Sequence, residues 1–416
     1  MNMWRETTIG ELAKVEHGFA FKGEYFSDAG ECVVLTPGNF HEVGGFRARP
    51  DKDRFYQGKF PERYVLKQND LIVAMTEQGE GLLGSSALVP EGGRYLHNQR
   101  IGLVRPHADA ADRIFLYYLF NADYVRQQIR NSSAGAKIRH TSPERIYRTK
   151  VCVPDKDTQS KIAAILSAYD ELIETNRRRI AVLEKLAEEL YREWFVRLRF
   201  PGHEKVKLVK GIPSGWRVAA LSDLAEVNPS SLSRRDHPET IRYLDISSVS
   251  TNRIDEVTTY AFKDAPGRAR RRVQHGDIIW SSVRPANRAY CLIYEPEDNL
   301  IASTGFAVIR PTADMPYTYL FYAVTSNPFV DQMTTVAKGA AYPATSFDDF
   351  EKAKLLVPSD DLLTAFHGIS EPLFRQKHLL QQQTEALRQT RDLLLPRLIS
   401  GKLSVEQLDI QFPPGM

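Results

Sequence analysis

The chain has 416 residues, 42% of them apolar and 26% charged. That length supports two or three domains and that balance supports packed cores, which excludes a disordered or fibrous polypeptide. A net charge of +3 permits contact with a polyanion without requiring it. No run of 18 apolar residues occurs and residues 1–6 lead into no apolar stretch, so neither a membrane-spanning helix nor a signal peptide is expected.

From residue 6 to 155 the pattern is short β-like runs (32–36, 70–75, 87–89, 101–105) broken by Gly, Pro, Asn and Asp. Gly79-Glu80-Gly81-Leu82-Leu83-Gly84 has the spacing of a dinucleotide loop. Residues 85–90 read as another strand, so no helix N-terminus is there to hold a phosphate. The better reading is a Gly-rich loop that lets another backbone come close. Residues 113–129, with Phe115, Tyr117, Tyr118, Phe120 and Tyr124, read as one amphipathic core helix. Asp155, just ahead of the next apolar-periodic stretch, is expected to cap a helix.

Residues 157–195 carry an unbroken heptad seam. Ile162, Leu166, Tyr169, Ile173, Asn176, Ile180, Leu183, Ala187, Leu190 and Trp194 alternate by four and three, the a/d spacing of a coiled coil. At ~1.5 Å per residue the seam makes a rod of roughly 50 Å, and its apolar stripe needs a partner. Asn176 is a polar core residue of the kind that sets register. Pro and Gly in 196–215 then reset the chain.

The second half repeats the first. Val151-Cys152-Val153-Pro154 returns as Leu355-Leu356-Val357-Pro358, 204 residues on; Leu103-Val104-Arg105-Pro106 returns as Val308-Ile309-Arg310-Pro311; Asp70 returns as Asp277; and residues 9–15 return as 221–227. Residues 317–333 match the aromatic helix 113–129. Asn228-Pro229 and Asn327-Pro328 read as turns. The seam projected by 204 falls on Phe366, Ser370, Leu373, Lys377, Leu380, Thr384, Leu387, Arg391, Leu394 and Leu398. Leu373, Leu380, Leu387 and Leu394 keep one apolar residue per heptad, and polar residues between them make this rod the weaker partner. Pro372 is expected in its first turn and Pro396 at its end or at a kink. The tail 411–416 is expected to fray. Binding of another protein's helices is a competing use of these rods.

The chemistry of an enzyme is not found. There is no Walker A loop, no Gly-x-Ser-x-Gly elbow, no His-Glu-x-x-His, and no Asn/Asp-Pro-Pro-aromatic tetrad of an adenine methyltransferase. The ten histidines have no ligand spacing, and Cys32, Cys152 and Cys291 are too scattered for a zinc cluster or a disulfide framework, which fits a reducing cytoplasm. The one constellation left is suited to binding. Residues 132–141, with Lys137, Arg139 and His140, align with 336–345, with Lys338 and Tyr342. Both combine a Gly-Ala core, a lysine, hydroxyl residues and a ring, which suits a phosphate and base edges. A second loop pair carries Thr76 and Gln78 in one half and Arg284, Asn287 and Arg288 in the other. Arg reads guanine, and Asn or Gln reads adenine. Arg270 and Arg271, in a basic run, would serve phosphates.

The order of these pieces resembles a known family. A β-rich module runs into Val151-Cys152-Val153-Pro154 and Gln159-Ser160-Lys161-Ile162-Ala163-Ala164-Ile165-Leu166. A long helix leads to Glu193-Trp194-Phe195-Val196 and Phe200-Pro201-Gly202, then to Gly215-Trp216-Arg217-Val218 and a second module, which closes on Leu394-Leu395-Pro396-Arg397-Leu398-Ile399-Ser400-Gly401. This is similar to the DNA specificity subunit of type I restriction–modification enzymes, over roughly residues 6–404. Leu363 stands where the second half would repeat Gln159.

The resemblance implies an α+β chain. Two β-rich target-recognition domains (1–155 and 199–360) would be separated by two long helices (156–198 and 361–404) packed as an antiparallel coiled coil, with a flexible tail (405–416). Each domain would read one half of a bipartite double-stranded DNA site. The helices would set the gap, since ~50 Å exceeds one ~34 Å turn of B-DNA. The chain would bind no cofactor. It would recruit two methyltransferase subunits that use S-adenosylmethionine and restriction subunits that use ATP and Mg²⁺. The reading from another class is a coiled-coil scaffold joining two protein-binding β modules.

Overall fold

The computed structural model describes residues 4–78, 81–135, 137–233, 235–236 and 238–410. The tail 411–416, and Gly79, Glu80 and Ala136 of the loops singled out above, lie outside the described residues. The chain divides into two compact units. The first is Met1–Thr175 with Gln383–Met416, and the second is Asn176–Gln382. Both long helices therefore contribute to both units. Among the described residues no helix is long and apolar enough to cross a membrane, and no group of His, Cys, Asp and Glu is arranged to hold a metal ion.

In the first unit a four-stranded antiparallel sheet runs in the order Ala13–His17, Ile101–Pro106, Leu71–Ala74, Ser86–Leu88. All four residues of Leu71–Ala74 are buried. Strand geometry sends alternate side chains to opposite faces. Leu71 and Val73 thus join the core made with Phe115, Leu116 and Leu119, while Ile72 and Ala74 join one with Leu35, Leu66 and Val89. A strand covered on both faces reads as a continuous apolar run. A second sheet, Phe26–Ser27, Phe55–Tyr56, Val33–Val34, Tyr95–Leu96, lies in the same unit.

The second unit repeats the plan. Its sheet runs Ala225–Val227, Phe306–Pro311, Ile278–Ser281, Tyr290–Leu292. Ile278 and Trp280 face one core and Ile279 the other. The repeat extends to an ion pair. Asp70 accepts from the Lys67 amide and from Arg105 at 2.7 Å. Asp277, fully buried, accepts from the Gln274 amide and from two nitrogens of Arg310 at 2.8 and 2.7 Å. Each carboxylate fixes the turn that opens a central strand and ties it to its neighbour.

Three expectations are corrected. Residues 113–129 form two helices, Arg113–Asn121 and Asp123–Asn131, broken at Ala122, where ψ is 135°. The break aims the buried Asn121 amide at the backbone of Ser86, whose N–H it accepts at 3.0 Å. Residues 317–333 break likewise at Ser326, and Asn327-Pro328 opens the helix Asn327–Val336 rather than a turn, because a proline in the first turn gives up no hydrogen bond. Pro372 lies well inside the helix Asp360–Ile399. It and Gly368, whose carbonyl loses its donor, are both exposed, so water satisfies that carbonyl.

The first long helix, Lys156–Tyr191, starts on Asp155, which accepts from the Thr158 amide at 2.9 Å, and passes into a wider turn, Arg192–Val196. In the first unit Ile162, Ala163 and Leu166 share a core with Leu394, Leu395, Leu398 and Ile399. The start of one helix meets the end of the other, so they pack antiparallel. In the second unit Tyr191, Trp194 and Phe195 pack edge-to-face with Phe366, again antiparallel.

All the projected seam positions are buried or half-buried, the polar ones included. Ser370 bonds the Phe366 carbonyl at 2.7 Å. Lys377 meets Glu184 at 2.7 Å within the second unit, and Arg391 meets Asp170 at 2.5 Å within the first. Lys377 and Arg391 are thus partnered by acids on the first helix.

Candidate nucleic-acid interface

In each unit the two candidate loops come together through the backbone. In the first, the strand Thr76–Glu77 pairs antiparallel with Arg139–His140, with Thr76 opposite His140. The loop before it closes on itself, with the Ala134 amide on the His140 carbonyl at 2.9 Å and the reverse at 2.8 Å. In the second, Val283 pairs with Ala344, and Lys338 and Ala344 exchange the same two bonds, both at 2.9 Å. The glycines at the turn, Gly135 and Gly339, have φ of +98° and +111°, a conformation that glycine adopts without strain. A Cβ on Gly135 would stand 2.1 Å from the Ile138 carbonyl oxygen.

The frame is shared, but the side chains on it are not. In the first unit Lys137, His140 and Gln78 are exposed and Arg139 is half-buried. Thr76 is buried, and its hydroxyl lies 3.1 Å from His140 Nδ1. Glu77 is buried, and Oε2 of its carboxylate takes the amides of Gly81, Leu82 and Leu83 at 3.2, 3.1 and 2.9 Å. These three amides are thereby filled from within, and no phosphate is needed to satisfy them.

Next to Val283 in the second unit stands Arg284, exposed. It has φ of +50°, its amide is on the Pro343 carbonyl at 2.7 Å, and its guanidinium lies 4.5 Å from the Tyr342 ring centre. Nη2 also reaches the Ala341 carbonyl at 3.3 Å. Lys338 and Asn287 are exposed, Arg288 is half-buried, and Tyr342 keeps 70% of its surface open.

The basic run behaves differently from a free phosphate clamp. Arg270 and Arg271 lie on the strand Ala269–Arg272. Arg270 covers Phe262, and Arg271 covers Phe347 at 5.0 Å and bonds Ser231. Burial pulls the Arg271 pKa below its usual value.

A groove of about 500 Å³ opens beside the first loop pair. Thr76, Gln78, Ile138 and His140 line it, together with two residues that the sequence did not single out, Glu42 and Arg100. Each is a lone charged residue in a loop, and no spacing or repeat marks it.

Comparison with known proteins assigns this architecture. Residues 1–185 match the family model described as the type I restriction modification DNA specificity domain. The chain is similar to type I specificity subunits. It is 26% identical over 315 residues to the type I restriction enzyme MjaIX specificity subunit of Methanocaldococcus jannaschii, covering 71% of this chain and 70% of that one. It is 21% identical over 433 residues to the type I restriction enzyme EcoBI specificity subunit of Escherichia coli, covering 97% and 87%. The crystal structure of a type I restriction–modification S subunit from M. genitalium has the same fold, with a TM-score of 0.62 at 18% identity over 95% of this chain and 96% of that one. The fold is thus the tandem α+β arrangement of specificity subunits, with β-rich domains and long antiparallel helices.

Proposed function

We propose that this chain is the sequence-reading subunit of a type I restriction–modification complex. Each unit reads one half of a bipartite duplex DNA target, and the chain brings methyltransferase subunits, two of them, and restriction subunits to that target. The chain does no chemistry itself. S-adenosylmethionine, ATP and Mg²⁺ act on the partner subunits, and the long helices serve as spacer and docking surface in the cytoplasm.

The observation that carries the reading is the loop pair, built twice on one backbone frame with different exposed side chains. A reader of two unlike half-sites needs the same position to offer different donors and acceptors. Lys137 and Lys338 would meet phosphates, and Gln78, Arg284 and Asn287 base edges.

Co-expression with a methyltransferase partner, followed by genome-wide mapping of methylated adenine, tests the proposal. A bipartite motif with a fixed gap is expected. An intact complex that methylates without any motif overturns it and favours a scaffold for protein partners. Binding by the complex is also expected to fall log-linearly with salt.

A further inference from the structure

The groove beside the first loop pair holds opposite charges that do not neutralise each other. Arg100 and Glu42 both line it, and both are exposed. Among the described residues the Arg100 guanidinium meets no carboxylate, and Glu42 makes no ion pair. The Glu42 backbone is nevertheless held in place. The half-buried Arg126 donates to the backbone carbonyls of Glu42 and Gly81, tying the two rims of the groove together. The Glu42 side chain lies against Gly81, where a Cβ would come within 3.1 Å of its carboxyl carbon.

A carboxylate on a surface that faces DNA repels the phosphates, so it costs affinity unless the ligand offers it a donor. A groove that carries a carboxylate acceptor and a guanidinium without an ion-pair partner suits a ligand edge with one donor and two acceptors side by side. The major-groove edge of a G·C pair is such an edge, with guanine O6 and N7 accepting and cytosine N4 donating. A phosphate alone would use Arg100 and be repelled by Glu42.

We infer that this groove is a base-reading subsite for one G·C pair in the half-site of the first unit, with Arg100 on guanine and Glu42 on cytosine. This rests on the DNA-specificity reading above and adds to it the identity of one base pair and its two readers.

The test uses the full chain in complex with its methyltransferase subunits, comparing wild type with Arg100→Ala and Glu42→Gln by methylation mapping and by competition among duplexes that differ at single positions. Each variant is expected to lose roughly tenfold to hundredfold of its discrimination, at the same G·C pair and only in the half-site of the first unit. The half-site of the second unit should be read as before, which shows within the same molecule that the variant is folded. If methylation in cells is lost altogether, the duplex competition still reports the discrimination. An unchanged preference in both variants overturns the inference, as does relaxation at two different positions, a uniform loss across all positions, or a first half-site without a G·C pair. A wild-type complex with no bipartite motif overturns the proposed function instead, and the subsite with it.

Discussion

Arg391 meets Asp170 at 2.5 Å, while the Tyr118 hydroxyl donates to the other carboxylate oxygen at 2.6 Å. One acid on the first long helix is thus held from two sides, by the second long helix and by the helix Arg113–Asn121 that packs on the sheet. The pair keeps 25% and 31% side-chain exposure, so water weakens it relative to full burial. Arg391→Met is expected to destabilise the protein by about 1–2 kcal/mol. In a double-mutant cycle with Asp170→Asn, followed by urea unfolding, a coupling of about 0.5 kcal/mol or more is expected. Additive losses would show that the contact contributes nothing.

Gly135 and Gly339 occupy the same turn with unequal room. A Cβ at Gly135 meets the Ile138 carbonyl oxygen at 2.1 Å, and one at Gly339 meets the Tyr342 carbonyl oxygen at 3.0 Å. Both substitutions to Ala force a side chain into the left-handed region, at about 1–3 kcal/mol. Gly135→Ala is expected to damage binding of the first half-site more than Gly339→Ala damages the second. Competition with duplexes mutated in one half at a time checks the order.

Arg284 is aimed by the ring beneath it. Arg284→Ala should relax reading at one position of the second half-site by ~1–3 kcal/mol. Tyr342→Leu should reproduce part of that loss through the missing cation–π contact, about 0.5–1 kcal/mol at an exposed site, and Tyr342→Phe should restore it. Equal losses in Leu and Phe would mean that the hydroxyl, not the ring, does the work.

His97 is 2% exposed, and its Nε2 donates to the Ile101 carbonyl at 2.8 Å. Burial disfavours the charged ring and holds its pKa below the ordinary value. The unfolded chain therefore binds a proton at higher pH than the folded one. Stability is fully present above about 6.5, and it is lost as pH falls from there through the folded pKa. His97→Gln should flatten the fall of the urea midpoint between about pH 7 and 5. His367 and His378 shift in the same direction, so the quantity to compare is the difference between variant and wild type.

The duplication was legible because short motifs recur in the same order, such as those holding Asp70 and Arg105 in one half and Asp277 and Arg310 in the other. The seam of the first long helix was legible from its period. The helix break at Ala122 was not, since neither Gly nor Pro stands there and tertiary contacts such as Asn121 with Ser86 govern the geometry, whereas the break at Ser326 had a signal in Pro328, which sits in the first turn of the next helix. The polar seam of the second helix looked weak only because the acids that answer it, Asp170 and Glu184, lie on the other helix. The two loops of each candidate site were found separately, and what joins them is backbone pairing, which no residue type announces. The packing of Arg270 and Arg271 was not legible either, because Phe262 and Phe347, the rings they cover, are not their neighbours in sequence.

Each recognition loop is closed by the same two backbone bonds, between Ala134 and His140 in one unit and between Lys338 and Ala344 in the other. These bonds join backbone groups, so the closure of the loop does not depend on which side chains the five enclosed residues carry. A segment that short is within reach of a few point mutations, and under the proposed function the DNA target can drift while the architecture stays unaltered.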